Sequence, residues 1–198
     1  MRLFIAIDLP EPVRAALARE QARLRDACGK SRDIRWTRPE GLHLTLKFLG
    51  EVAAGRLPEI SHALRPLRFD AFEVDVAGFG FFPSARRPRV FWVGLEAPPA
   101  LEEVATRVEA AMGILGFAPE NRSFQPHLTL ARFENHHPQP ELEAALQKTG
   151  AGSFGRFTVS EFFLFASKLR PEGAQYSKLA NFPGEGGSDS SAALRTEG

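Results

Sequence analysis

The sequence predicts an α+β fold of two lobes related by a pseudo-two-fold, with two mostly antiparallel sheets lining a central groove and helices outside. Three observations predict it. The tetrapeptide His-Leu-Thr-Leu occurs twice, at 43–46 and 127–130, 84 residues apart in a chain of 198. Each copy lies in a run that reads as a buried strand. The helix and strand patterns also alternate too irregularly for a parallel, doubly wound sheet, and no linker separates the halves.

The elements follow in order. Leu3–Asp8 is a short apolar run and reads as a buried strand. Pro10–Cys28 carries Val13, Leu17 and Leu24 with charges between them, the pattern of an amphipathic helix. Pro12 near its start and Gly29 after its end punctuate it. Ile34–Trp36 is a short extended piece, and Leu42–Leu49 is a strand closed by Gly50. Pro58–Leu67 suggests a second helix. Phe69–Phe79 sets Phe72, Val74 and Val76 on one face, as a strand does. A loop over Phe82–Pro88 leads to a strand at Val90–Leu95.

The pattern then repeats. Pro98–Leu115 is amphipathic through Leu101, Val104, Val108 and Met112. His127–Phe133 is a strand, Pro140–Lys148 a short helix, Phe154–Phe165 a long strand and Ala174–Leu179 a last one. One bilobal domain over 1–183, its lobes intertwined, is therefore expected. Residues 184–198 are Gly, Ser, Glu and Ala with almost no apolar anchor, and read as a disordered tail.

Composition narrows the function classes. A net charge of +1 gives weak overall attraction to nucleic acid, so local basic groups must hold any polyanion. One cysteine, Cys28, allows no disulfide within the chain and suits a cytoplasmic location. No apolar run reaches the ~18 residues of a membrane span. The N-terminal run lacks the length and cleavage site of a signal peptide. Phe is over-used at 17 residues, which reads as a Phe-rich core.

Alternate residues of a strand share a face, so His43 and Thr45 point one way and Leu42, Leu44 and Leu46 the other, under the first helix. His127 and Thr129 repeat this above Leu128 and Leu130. A lone His on a strand is usually structural, but a duplicated His-x-Thr is the signature of a site. Imidazole titrates near neutrality, so one copy can be neutral while the other is protonated. That pairing suits acid–base attack on a phosphate ester, with the Thr hydroxyls donating to oxygens where charge builds. Zinc wants three or four ligands, and His43 and His127 have no third candidate nearby in sequence, so neither metal nor cofactor is expected. By parity Lys47 joins the His43 face as a substrate-binding residue, whereas Arg132 falls on the face away from Thr129 unless the strand bulges. Arg35 and Arg38 around Trp36, and Arg86, Arg87 and Arg89 in a loop, are further candidate anion or base contacts. His136 and His137 read as a solvated loop and His62 as surface.

Those motifs and their flanks, Met1–Asp8, Leu42–Gly50 and Pro126–Arg132, resemble the 2H phosphoesterase superfamily, and within it the bacterial and archaeal RNA 2′,3′-cyclic phosphodiesterases first named 2′-5′ RNA ligases. The resemblance spans 1–183. It implies metal-independent hydrolysis of an RNA-terminal 2′,3′-cyclic phosphate to a 2′-phosphate. It implies His43 as proton donor to the leaving 3′ oxygen and His127 as the base that activates water. Thr45 and Thr129 would hold phosphate oxygens, and Arg132 would add positive charge. Ligation through a 2′-5′ linkage is the same chemistry reversed, and a binding module that has lost turnover is the alternative of another class. No Gly-x-x-x-x-Gly-Lys is present, which disfavours an ATP-driven ligase. The expected partners are RNA 3′ ends or cyclic nucleotides, with no membrane, and the expected state is a monomer.

Overall fold

The computed structural model describes residues 1–29, 33–150, 152–170 and 173–185. Among them are strands β1 (Arg2–Asp8), β2 (Ile34–Trp36), β3 (His43–Glu51), β4 (Phe72–Phe82), β5 (Val90–Glu96), β6 (His127–Phe133), β7 (Ser153–Val159), β8 (Glu161–Arg170) and β9 (Gly173–Pro183). The helices are α1 (Glu11–Ala27), α2 (Leu57–Leu64), α3 (Pro99–Ile114) and α4 (Pro140–Thr149). Prolines open α1 and α3, where a missing N–H costs nothing. Gly29 and Gly116 follow the two helix ends at φ +63° and +81°, a left-handed turn that side chains disfavour.

The strands form one antiparallel sheet in the order β7-β4-β5-β6-β3-β1-β8-β9, with β2 also paired to β6. The two expected sheets are therefore halves of a continuous one, joined where β3 meets β6 at the pair Leu44↔Leu128. The halves exchange elements. β4 follows the first motif but lies beside β5 on the β6 side of that junction, and β8 follows the second motif but pairs with β1 on the β3 side. Helices exchange too: α1 packs on β7 and α4, and α3 packs on β3. Leu42, Leu44 and Leu46 join one core with residues of α1 and α3: α3 packs on β3, and Arg14 of α1 donates to Leu42 O at 3.2 Å.

The main core lies between the sheet and its helices and holds Leu3, Ile5 and Ile7. A second, smaller cluster on the opposite sheet face contains Phe4, Ala6, Phe163 and Phe165, with Tyr176 packed against it. β1 is buried from both sides over Leu3–Ile7, which is why that run is apolar instead of alternating.

Two sequence expectations change. The single strand expected over 154–165 is two, β7 and β8, which pair in opposite halves of the sheet. The break at Ser160 has neither Gly nor Pro beside it, so the run carries no strong punctuation there. The disorder expected from Gly184 does not hold for Gly184 and Glu185: Gly184 N–H donates to Ser160 O at 2.8 Å and Glu185 N–H to Phe69 O at 2.8 Å. Residues 186–198 lie outside the described residues. Among the described residues no helix is long and apolar enough to cross a membrane.

Candidate active site

The duplicated motif meets itself at the centre of the sheet. With Leu44 opposite Leu128 in antiparallel register, His43 faces Thr129 and Thr45 faces His127. A local two-fold through the Leu44↔Leu128 pair relates the two half-sites. The two histidines are diagonal neighbours, which in a sheet lie about 7–8 Å apart at Cα. All four side chains are half-buried and share the face opposite the leucines.

Just past each Thr the ladder slips by one residue. In the first half Ala6 pairs with Thr45 but Ile5 with Lys47, so Leu46 is unpaired. In the second half Trp92 pairs with Thr129 but Phe91 with Ala131, so Leu130 is unpaired. A bulge of this kind reverses the parity of every residue beyond it. It therefore removes Lys47 from the groove, contrary to the parity expectation. Lys47 Nζ turns to the helix side, 2.7 and 2.8 Å from the Glu109 carboxylate of α3 and 3.0 Å from Ala118 O. Its side chain is 3% exposed. We expect Lys47→Met to alter the urea midpoint while leaving turnover of any groove-bound substrate near wild type.

The same bulge brings Arg132 to the groove face beside Thr129. Its charge lowers the pKa of both His43 and His127, as a guanidinium near both imidazoles must. The first-half counterpart of Arg132 is Phe48, 61% exposed. The two half-sites thus match in His and Thr and differ in one cation.

Each imidazole is held in the same way. His43 Nδ1 lies 2.8 Å from Gly41 O and His127 Nδ1 lies 2.7 Å from Gln125 O, in both cases the carbonyl two residues earlier. A carbonyl only accepts, so Nδ1 carries the proton and Nε2 of each ring is left to exchange one. Arg14 braces the first arrangement from α1, donating to Pro39 O at 2.7 Å and Leu42 O at 3.2 Å around the turn that supplies Gly41. It also grips Asp8 at 2.6 Å, and Asp8 pairs in register with His43.

Aromatic rings wall both histidines. Phe4 lies 4.6 Å and Tyr176 5.1 Å from the His43 ring, and Phe82 lies 4.9 Å from the His127 ring. Beside His127 opens a cleft of about 480 Å³ lined by Phe82, Trp92, Phe124, Gln125 and Pro126. Burial lowers His43 to a pKa of about 4, against the pull of the Gly41 carbonyl and Asp8, with Arg14 and Arg132 adding to the drop. Burial lowers His127 as well, opposed by the Gln125 carbonyl and assisted by Arg132. Burial thus favours the neutral form of both rings in the free protein.

This depression couples to folding. An unfolded His takes up its proton near 6.5 and folded His43 only near 4. Stability is full above the unfolded value and falls as pH drops from 6.5 towards 4, by about 3 kcal/mol from this group. Urea midpoints over that range should fall more steeply for the wild type than for His43→Gln. Equal slopes would contradict the burial of this imidazole.

The comparisons with known proteins agree with this duplicated geometry. The model of the LigT-like phosphoesterase family matches twice, over residues 7–92 and 93–176, one match for each His-x-Thr. The chain belongs to the LigT-like phosphoesterase family. A relative from Methanothermobacter thermautotrophicus, named RNA 2′,3′-cyclic phosphodiesterase, is 36% identical over 187 residues, covering 92% of this chain and 98% of the relative. Another of that name, from Archaeoglobus fulgidus, is 34% identical over 182 residues, covering 92% and 99%. A crystal structure of a Thermus thermophilus protein superposes with TM-score 0.77 at 34% identity, covering 93% of this chain and all of that one. Escherichia coli LigT in complex with 3′-AMP superposes with TM-score 0.74 at 28% identity, covering 93% and 98%.

Other candidates in this LigT-like chain lie apart from the four motif positions. Trp36 turns to the core, edge-on to Phe91 at 6.2 Å. Arg35 stands opposite Arg132 in register, but Glu134 holds its guanidinium at 2.7 Å. Arg38 is exposed. Arg86, Arg87 and Arg89 are exposed in the β4–β5 turn, next to Val90, whose register partner is Arg132. His62, His136 and His137 are exposed. Among the described residues no three His, Cys, Asp or Glu side chains group as a metal site. Sequence reasoning missed Phe4, Tyr176, Phe82 and Arg14. The first three are far from the motifs in sequence and reach them only through strand pairing.

Proposed function

We propose that this chain is an RNA 2′,3′-cyclic phosphodiesterase that opens a terminal cyclic phosphate to a 2′-phosphomonoester without a metal. The observation that carries the reading is the two-fold pairing of His43 and Thr45 with His127 and Thr129, each Nδ1 being held by a carbonyl so that proton exchange falls to Nε2. The name borne by relatives at 34–36% identity supports it.

In this reading the cyclic phosphate sits between the rings. His127 Nε2 takes a proton from water as the water oxygen attacks phosphorus. The P–O3′ bond breaks, and protonated His43 Nε2 delivers its proton to O3′. Thr45, Thr129 and Arg132 hold the non-bridging oxygens, where negative charge accumulates. His127 then passes its proton to solvent and His43 regains one. The phosphate anion raises the imidazoles that burial and Arg132 depress, so the bound substrate helps to load the acid. Free-enzyme groups set kcat/KM and bound-state groups set kcat. The kcat/KM bell should thus centre below pH 6.5, and the kcat bell should lie at higher pH. Coincident bells would contradict this role for the phosphate.

A 5′-hydroxyl in place of water would reverse the cleavage and join RNA ends through a 2′-5′ linkage. At about 55 M water, hydrolysis dominates unless the second RNA end is held in place. Both half-sites come from one chain, so a monomer suffices. Cys28 is a free thiol, in keeping with a reducing cytoplasm. The test is incubation with a 2′,3′-cyclic nucleotide, with and without EDTA. Formation of the 2′-phosphate at equal rates is expected. Binding without product favours a binding module, and loss of turnover with EDTA removes the metal-free mechanism.

A further inference from the structure

The bulge that turns Arg132 into the groove is held from behind by one buried amide. Gln21 lies on the apolar face of α1 with Val13, Leu17 and Leu24, and is 1% exposed. Its Nε2 donates to Thr37 O at 2.9 Å and to Leu130 O at 2.9 Å. Leu130 is the unpaired residue of the β6 bulge, and its carbonyl also accepts the Thr37 N–H at 2.9 Å. One edge of β6 changes partner at this point. Leu128 before it pairs with β3, and Ala131 and Arg132 after it pair with β2.

The Gln21 Oε1 atom is buried and has no hydrogen-bond partner among the described residues. An orphaned buried acceptor costs stability that an apolar residue of similar volume would spare. The amide is therefore best explained by what its nitrogen does. We propose that Gln21 is a positioning residue: it locks the Leu130 bulge, and the locked bulge aims Arg132 at the phosphate beside Thr129. Its kinetic consequence rests on the phosphodiesterase reading; its structural consequence does not.

The test uses the full chain carrying Gln21→Met, which fills similar volume without donors. In ligand-free protein, NMR titration of His43 and His127 should show both imidazoles moving up towards their ordinary value, in the direction Arg132→Met moves them. Loss of stability alone would not do this. With a 2′,3′-cyclic nucleotide, kcat/KM should fall by up to about 10²-fold, the scale of a small misplacement. Adding Gln21→Met to Arg132→Met should cause no further loss. Unchanged titrations in a folded variant, or losses that multiply in the double variant, would overturn the proposal. If Gln21→Met does not fold, Gln21→Asn keeps the amide with shorter reach and is read the same way. Failure of both to fold would make Gln21 a core residue only. Absent wild-type turnover would remove the phosphodiesterase reading, while the titrations would still decide the role of Gln21.

Discussion

His127→Ala is expected to lower turnover of a 2′,3′-cyclic nucleotide by about 10²–10⁴-fold, and His43→Ala by a similar factor, each being one proton transfer. The effect should lie mainly in kcat if, as proposed, both transfers belong to the transition state. In the proposed mechanism the rings act as a unit on one phosphorus, so the double variant should be much less than multiplicatively worse. Circular dichroism separates this from unfolding. His127 is half-buried and touches Phe82 at its edge, so its loss opens a small gap beside a cleft that already exists. His43 is packed more tightly, against Phe4 and Tyr176, so His43→Gln is the better control there. Wild-type turnover in either folded variant would remove paired acid–base catalysis.

Arg132→Met is expected to lower kcat/KM by about 10²–10³-fold, the scale measured when one preorganised donor to a developing charge is removed. A second effect separates charge from shape. The guanidinium lowers both imidazoles, so its removal should raise both and move the kcat/KM optimum to higher pH. Arg35→Met is the matched control. Arg35 stands opposite it on the neighbouring strand, but its charge is taken by Glu134, and turnover should stay near wild type. Equal losses from both arginines would mean that only a diffuse positive field matters.

Much of this was legible in the sequence because the site is local. His43 with Thr45, and His127 with Thr129, needed only the two-residue period of a strand, and their duplication implied the two-fold. Strand parity misplaced Lys47 and Arg132, the second of which only the family resemblance pointed to, for one physical reason. Both lie beyond a bulge, and a bulge is a property of two strands paired together. Leu46 and Leu130 look like ordinary alternating core residues until β1 and β5 are laid beside them. Parity without the bulge placed Lys47 in the groove and Arg132 outside it; the bulge exchanges them. The division of the 154–165 run escaped for a related reason. Phe154, Phe157, Phe162 and Leu164 are all apolar and all buried. Yet the first two belong to a strand that pairs with β4 and the last two to one that pairs with β1, far apart in the same sheet. The depressed histidines were hidden as well, because their burial comes from Phe4, Tyr176 and Phe82, which lie far from the motifs along the chain.

The most direct test is a crystal structure with a 2′-nucleoside monophosphate, the expected product, in the groove. One phosphate is expected between the rings, with Nε2 of His43 and of His127 each within about 2.6–3.2 Å of a different phosphate oxygen, and with Thr45, Thr129 and Arg132 on the remaining ones. A phosphate held by one imidazole alone, or seated outside the β3–β6 junction, would contradict it.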